Sequence, residues 1–596
     1  MDAIAYYDRL KNQYASVPEG EPFALPIEEL AEALGCTRRN AQLVLKKLEA
    51  EGYVEWRPGR GRGHQSRLAF LVSDRELLLR KAKTLVMRES LGEAWKVLGQ
   101  LRADDSLNGQ FEEWLAGLFG VRQDAERQDV LRFPFYRPVP ALDPASVVSR
   151  AEAHWVMQMM NTLVAWSGKE RRIVPQLAHA WESNDSCTEW TFYLRKGVRF
   201  HNGKLLTPED VIHSFGRALN GPVCRWMGKV IASMRPAGKH GVSFSLNEPV
   251  SSFPHFICTE HYSIVPVGWN GENPGMPIGT GPFRIVKNNE SMLAVEAHEH
   301  YYEGRPHLDR IEMWVWPNYQ GELDRHIDER DMQLLYSEGQ LNRGGYTRPV
   351  LKQLEQGSTY LTFKLNKPGP LRDERLRRAL HYGLDRRRMV HELGGIRERP
   401  AAGFFIPSAE ESADLEEEGG YDYDPERARE LVAASSYEGE TLSLYTYEMS
   451  IEDAEWMIRE YGRLGIRMRM VKLPVEQPSS PAVLAQADMV LSGEVLGEQP
   501  DISMIETYSR DNGFVRNHLS PAERQALDRL ISACLRAEDA SSRLLLLTEW
   551  QETMKRACNV LFLYHSVQVA GHHRSLGGVA MNAWGKINYK DIWVRP

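Results

Sequence analysis

Leu25-Pro-Ile-Glu-Glu-Leu-Ala-Glu-Ala-Leu-Gly35, continuing through Cys36 to Thr37-Arg-Arg-Asn-Ala-Gln-Leu-Val-Leu-Lys-Lys-Leu48, decides the fold of the first part of the chain. In the first segment Ile27, Leu30, Ala31 and Leu34 fall on one helical face, and Gly35 supplies the stop. Thr37 is placed to cap a second helix, because its hydroxyl can accept from one of the first unpaired backbone amides. In that helix Ala41, Val44, Leu45 and Leu48 recur at the spacing of one buried stripe. Arg38, Arg39, Asn40, Gln42, Lys46 and Lys47 are left outside. Gly52 ends the helix. Tyr53–Trp56 and Ser66–Val72 then have strand character on either side of Arg57-Pro-Gly-Arg-Gly-Arg-Gly-His64, a flexible basic loop.

Two helices at a tight turn followed by a ribbon with a basic tip make a winged helix-turn-helix, whose second helix is expected to enter the major groove of DNA. Charge agrees with that reading. Cys36 to Arg67 holds eight Lys/Arg against three Asp/Glu, whereas the first seventy residues hold ten of each. The positive charge is therefore concentrated on the helix and wing, the footprint expected of a DNA-binding face. Thr37, Arg38, Arg39, Asn40, Gln42 and Lys46 are the candidate helix contacts, and Arg57, Arg60, Arg62 and Arg67 the candidate wing contacts. The competing reading is a solvated helix followed by a glycine-rich linker. Gly59-x-Gly61-x-Gly63 opens no helix and does not continue as a dinucleotide-binding loop.

Length, 596 residues, favours three or more domains, and 42% apolar with 26% charged residues is the composition of a globular protein. The net charge of −8 arises entirely beyond residue 70. Met1–Tyr14 carries charge throughout and lacks the apolar core of a signal peptide, and no run is long enough for a membrane helix, so a cytoplasmic location is expected. Ala33-Leu-Gly-Cys36 follows Glu28, Glu29 and Glu32 and is not a lipoprotein cleavage box. The six cysteines are far apart and read as reduced thiols. His298-Glu-His300 and His572-His573 lack further ligands at metal spacing. No phosphate-binding, esterase or zincin motif occurs, so neither an enzyme nor a cofactor is expected.

Residues 73–130 read as a helical connector, with apolar positions at helical spacing (Leu77, Leu78, Leu85, Val86, Trp95, Leu98, Leu101); it is either a dimer element or a helix pair packed on its own domain. A proline-rich turn at 137–144 marks a new domain, and Ser408–Gly420 and Pro474–Pro481 read as further loops. From there an ordered set of motifs runs to the C-terminus. Val174-Pro-Gln-Leu-Ala-His-Ala-Trp181 leads to Trp190-Thr-Phe-Tyr-Leu-Arg-Lys-Gly-Val-Arg-Phe-His-Asn-Gly203 and Leu206-Thr-Pro-Glu-Asp-Val211. Pro277–Phe283, Tyr302–Ile311, Tyr360–Asn366, Arg375–Leu380 with Leu384-Asp385, and Tyr423–Ala428 follow. This region resembles the oligopeptide/dipeptide (family 5) solute-binding proteins. Joined to the winged helix, with Gly59–Leu68 and Arg574–Trp593 also matching, the whole chain resembles the SgrR-type transcriptional regulators.

The resemblance implies a multidomain fold: a winged helix-turn-helix at 1–72, then a two-lobed α/β periplasmic-binding-protein-like (type 2) clamp at 131–596. Lobe 1 is expected at about 131–355 plus 560–596, and lobe 2 at about 360–559. It also implies a ligand-responsive regulator with double-stranded DNA and a sugar phosphate, sugar or short peptide as partners, either alone or as a homodimer. The alternative function is the solute-binding component of a transporter. In relatives of that kind a carboxylate in the loop after a strand holds the peptide amine. The matching loop here, Asp488–Asp501, has lost that pattern: with Pro500 setting the register, the anchor becomes Leu496. Glu494 and Glu498 are its candidate replacements, or else surface charges.

Overall fold

The computed structural model describes residues 3–59, 65–99, 105–123, 128–316, 334–337, 350–406, 423–473, 483, 485–572 and 576–595. Helices Ala3–Gln13, Ile27–Leu34 and Arg38–Ala50 pack against an antiparallel sheet in which Arg67–Phe70 lies between Phe23–Ala24 and Val54–Arg57. The second helix ends at Gly35 with φ 63°, and its amide returns to Ala31 and Glu32 carbonyls. Thr37 caps the third helix through Asn40 N at 3.4 Å. Ala41, Val44, Leu45 and Leu48 are its buried residues, and they join Leu30, Leu34, Tyr53, Leu68 and Phe70 in one core. One expectation needs correction here. The ribbon strands are Val54–Arg57 and Arg67–Phe70, so Arg57 is the last residue of a strand rather than part of the loop. The N-terminal helix, whose Tyr7 hydroxyl donates to Val72 O at 2.6 Å, lies within the expected domain at 1–72, although the sequence reading assigns it no element.

The connector forms helices Asp74–Met87, Leu91–Leu98 and Asp105–Ala116. Their apolar faces meet Met292, Ala294, Trp314 and Trp316 of the first lobe. Trp316 lies between Trp95 and Phe119, with ring centroids 6.0 and 6.1 Å away. Strand Gly120–Gln123 pairs with Asp129–Phe135 and so belongs to the first-lobe sheet, which shortens the connector from its expected end at 130. That five-stranded sheet continues through Arg310–Val315, parallel to Asp129–Phe135, to Met292–Ala297 and Phe283–Asn288. A four-stranded antiparallel sheet (Ala178–Ser183, Glu189–Leu194, Gly241–Leu246, Ile231–Pro236) completes the first lobe with helix Pro208–Asn220.

The second lobe is built on Gly357–Phe363, Met489–Val495, Leu442–Tyr447 and Met468–Leu473. Strand Val560–His572 ties the lobes together. Its first half pairs with Gly357–Phe363 inside the second lobe, and its second half pairs with Val350–Leu354. Residues 560–564 therefore belong to the second lobe, not to a first-lobe tail starting at 560. At the crossing, Glu355 N donates to Ser566 O at 2.8 Å and Glu355 Oε1 takes Arg150 Nη1 at 2.6 Å. Gly357, with φ 107°, approaches the Glu494 carbonyl so closely that a Cβ could not fit. A single buried cluster runs from Leu163–Ile264 into Leu496–Phe562, so the lobes are in contact.

Candidate functional site

On the helix Arg38–Ala50, the side chains of Thr37, Arg38, Arg39, Asn40, Gln42 and Lys46 are all exposed. Arg38 Nη1 pairs with Glu28 Oε1 across the turn at 3.0 Å. Both are solvated, so the pair contributes little to stability and yields readily to a phosphate. Arg57 pairs with Glu55 at 2.8 Å and Arg67 stands opposite it in the ladder. Arg60 and Arg62 lie outside the described residues. One residue of this face was missed by sequence reading: Leu43 is 60% exposed between the basic side chains. The helical period puts it outside the buried stripe, but a reading that counts only polar and charged side chains as DNA contacts passes over it.

The second site is a cavity of about 1140 Å³ lined by both lobes. Helix Arg150–Met159, the hairpin around Ser167 and the turn at Cys258–Ser263 contribute from the first lobe. Ser492–Gln499 and helix Pro500–Ser509 contribute from the second. Seven glutamates and five Lys/Arg line it. Three of those arginines are held by carboxylates: Arg137 by Glu152 at 2.7 Å, Arg150 by Glu355 at 2.6 Å, and Arg397 by Asp453 at 2.8 Å. Arg510, at the end of helix Pro500–Ser509, is faced by Glu506, Glu494 and Glu260, and its Nε makes no hydrogen bond among the described residues.

Glu494 and Glu498 both line this cavity. Glu494 Oε1 accepts from Thr507 Oγ1 at 2.9 Å, and burial raises its carboxyl against partial relief from Arg510. Glu498 Oε2 lies against the hairpin at Gly168, where a Cβ would have to push it aside, and burial raises its carboxyl as well. Glu506 is pushed up to about 8 by burial, with Arg510 offsetting and Glu260 adding to the rise. Leu496 instead turns into the core, fully buried. Glu506, Glu260 and Arg510 escaped sequence reading, because no local motif joins a turn near residue 260 to a helix near 500.

His298 follows strand Met292–Ala297 and directs Nδ1 at Gly281 O, 3.1 Å away, with the His201 ring 5.0 Å from it. Burial lowers both imidazoles, as expected of core histidines. Among the described residues no group of three or more His, Cys, Asp or Glu is placed to hold a metal. No disulfide joins any of the six cysteines. No helix among the described residues is long and apolar enough to cross a membrane.

The family model described as bacterial extracellular solute-binding proteins, family 5 Middle, matches residues 172–514. The chain belongs to this family. The family 5 clamp is preceded by a second match, sugar transport-related sRNA regulator N-term, over residues 3–115. That span includes the winged helix and most of the connector. YhjP of Bacillus subtilis (strain 168) is 31% identical over 96% of both chains. The HTH-type transcriptional regulator SgrR of Yersinia enterocolitica is 29% identical over 60% of this chain and 62% of its own length. Among solved structures, family 5 folds recur in Helicobacter pylori DppA with the peptide STSA (TM-score 0.66, 18% identity, 78% of this chain and 98% of that one). Bacillus subtilis AppA with a nonapeptide gives a TM-score of 0.67 at 18% identity, over 78% and 99% of the chains.

Proposed function

We propose that this protein is a cytoplasmic DNA-binding transcriptional regulator whose family 5 clamp senses a small ligand. The observation that carries the reading is physical continuity between the two sites. An exposed cationic helix is joined, through connector helices with buried faces on both sides, to a lobe that lines a ligand-sized cavity. Helix Asp74–Met87 contributes Leu77 to the winged-helix core and Ala82 and Val86 to the first-lobe seam. Lys81 holds Asp8 at 2.6 Å, and Glu89 reaches Lys287 and Arg310. Ligand closure that moves one lobe against the other thereby changes what surrounds the DNA-binding face, provided the ligand prefers one clamp state.

Among a sugar phosphate, a sugar and a short peptide, the cavity favours a ligand that carries a cationic group. Carboxylates outnumber cations, the arginines already face carboxylates, and burial raises Glu494, Glu498 and Glu506 by disfavouring their charged forms, a penalty that a cationic group beside them would relieve. A phosphate would have to displace existing partners. The test is a thermal-shift series on the full chain with a short peptide, the same peptide with its amine acetylated, and a sugar phosphate. The free amine is expected to raise Tm, and acetylation to weaken binding by about tenfold (1.4 kcal/mol) or more. Stabilisation by the sugar phosphate alone would reverse the assignment. A regulator also requires salt-dependent binding to duplex DNA, weakened for all sequences by Arg60→Ala with Arg62→Ala. The transport reading, favoured by the fold neighbours alone, requires a processed, exported form in cell fractions.

A further inference from the structure

Leu43 is the one large apolar side chain exposed on the helix Arg38–Ala50. At about 100° per residue, it lies nearly opposite the stripe of Ala41, Val44, Leu45 and Leu48. Arg39 and Asn40 flank it one turn before, and Lys46 and Lys47 one turn after, all exposed. Among the described residues it belongs to no core cluster, and 60% of its surface is open. The surroundings restrict what could cover it. A protein partner would need an acidic rim around an apolar point. Duplex DNA offers that combination as a matter of course: two rows of phosphates border the major groove, and the C5-methyl of thymine is its apolar feature.

We infer that Leu43 makes an apolar contact with a thymine methyl and is a specificity-determining residue of the DNA face. This deepens the proposed function and rests on it. Arg39, Lys46 and Lys47 anchor the helix electrostatically, and Leu43 adds a preference for thymine at one position, which neither phosphates nor the polar base edges would supply. Because Leu43 is exposed and mid-helix, truncation to Ala leaves the fold intact: it removes no buried packing and introduces a better helix former.

The experiment uses the full chain and a duplex it selects from a randomised library, in which each thymine is replaced in turn by deoxyuridine. Only the methyl is lost. One replacement is expected to weaken wild-type binding about fourfold, the worth of one buried methyl group, and to leave L43A within about twofold. Leu43→Met, which keeps an apolar tip, is expected to restore most of the sensitivity. Equal sensitivity of wild type and L43A at every thymine, or none in either, overturns the inference while leaving DNA binding standing. Failure of the chain to enrich any duplex overturns the DNA-binding reading itself and this inference with it.

Discussion

Glu506 shows what a single buried carboxylate does to the whole chain's pH response. Its folded value of about 8 stands far above the ordinary 4.5, so the folded protein binds a proton that the unfolded chain releases across that window. Its contribution to stability is fully present below about pH 4.5 and is lost progressively as pH rises through about 8. Glu506→Gln should flatten this slope: Tm measured from pH 5 to pH 8.5 is expected to fall less steeply in the variant than in wild type, and an unchanged slope would mean the carboxyl is charged when folded. A cationic ligand reverses the penalty, so the slope should also flatten on saturation. At the DNA face, Arg39→Ala is expected to cost on the order of 1–3 kcal/mol at particular base pairs if it makes a bidentate contact, measured by competition across operator variants. A uniform loss would assign Arg39 to the backbone. The sequence announces Arg39 because it stands outside an apolar stripe. Glu506 is silent in the sequence: its burial follows from helix Pro500–Ser509 packing beside a first-lobe turn, a contact between positions almost 250 residues apart.

Elements differ in how plainly the sequence declares them. Helix Arg38–Ala50 is legible because four apolar residues at a 3.6-residue period can bury only one way. Strand Phe23–Ala24 has two residues, too few to establish any period, and exists because it finds Arg67 and Leu68 beside it. Connector helix Asp74–Met87 is legible as a helix, yet its destination is not. Leu77 faces one core while Ala82 and Val86 face another, and a single apolar stripe looks the same whether it meets one partner or two. Trp316 is the test of that destination. Buried against Trp95 and Phe119, its replacement by Ala should destabilise the seam by about 3–5 kcal/mol. Denaturant unfolding of the full chain, read beside protease cleavage within residues 88–104, checks this. Faster cleavage there with an intact clamp would mark the seam as the element that opens first.

For the whole molecule, the crossing at Glu355–Gly357 and His565–Ser566 is where lobe motion must concentrate, since the strand Val560–His572 passes through it into both sheets. Gly357→Ala would place a Cβ against the Glu494 backbone in a left-handed conformation. The expected result is a loss of at least about 1 kcal/mol of stability and a clamp biased away from the lobe arrangement seen here. Small-angle scattering with and without saturating ligand would read the bias as a larger radius of gyration; identical curves for variant and wild type would remove Gly357 from the hinge. The two-lobed plan was legible from ordered motifs, while the lobe boundaries shifted because one strand serves both lobes. The seam around Trp316 has a further consequence, one of inheritance. Met292, Ala294, Trp314 and Trp316 face helices from the N-terminal part of the chain, so a clamp with polar residues at these four positions could not accept the connector. The two parts are therefore bound to change together: a chimera that exchanges residues 1–116 alone is expected to aggregate, and one that also exchanges Met292–Ala297 and Arg310–Trp316 to fold. The union of DNA reader and solute clamp, once made, would be handed down as a single unit rather than reshuffled.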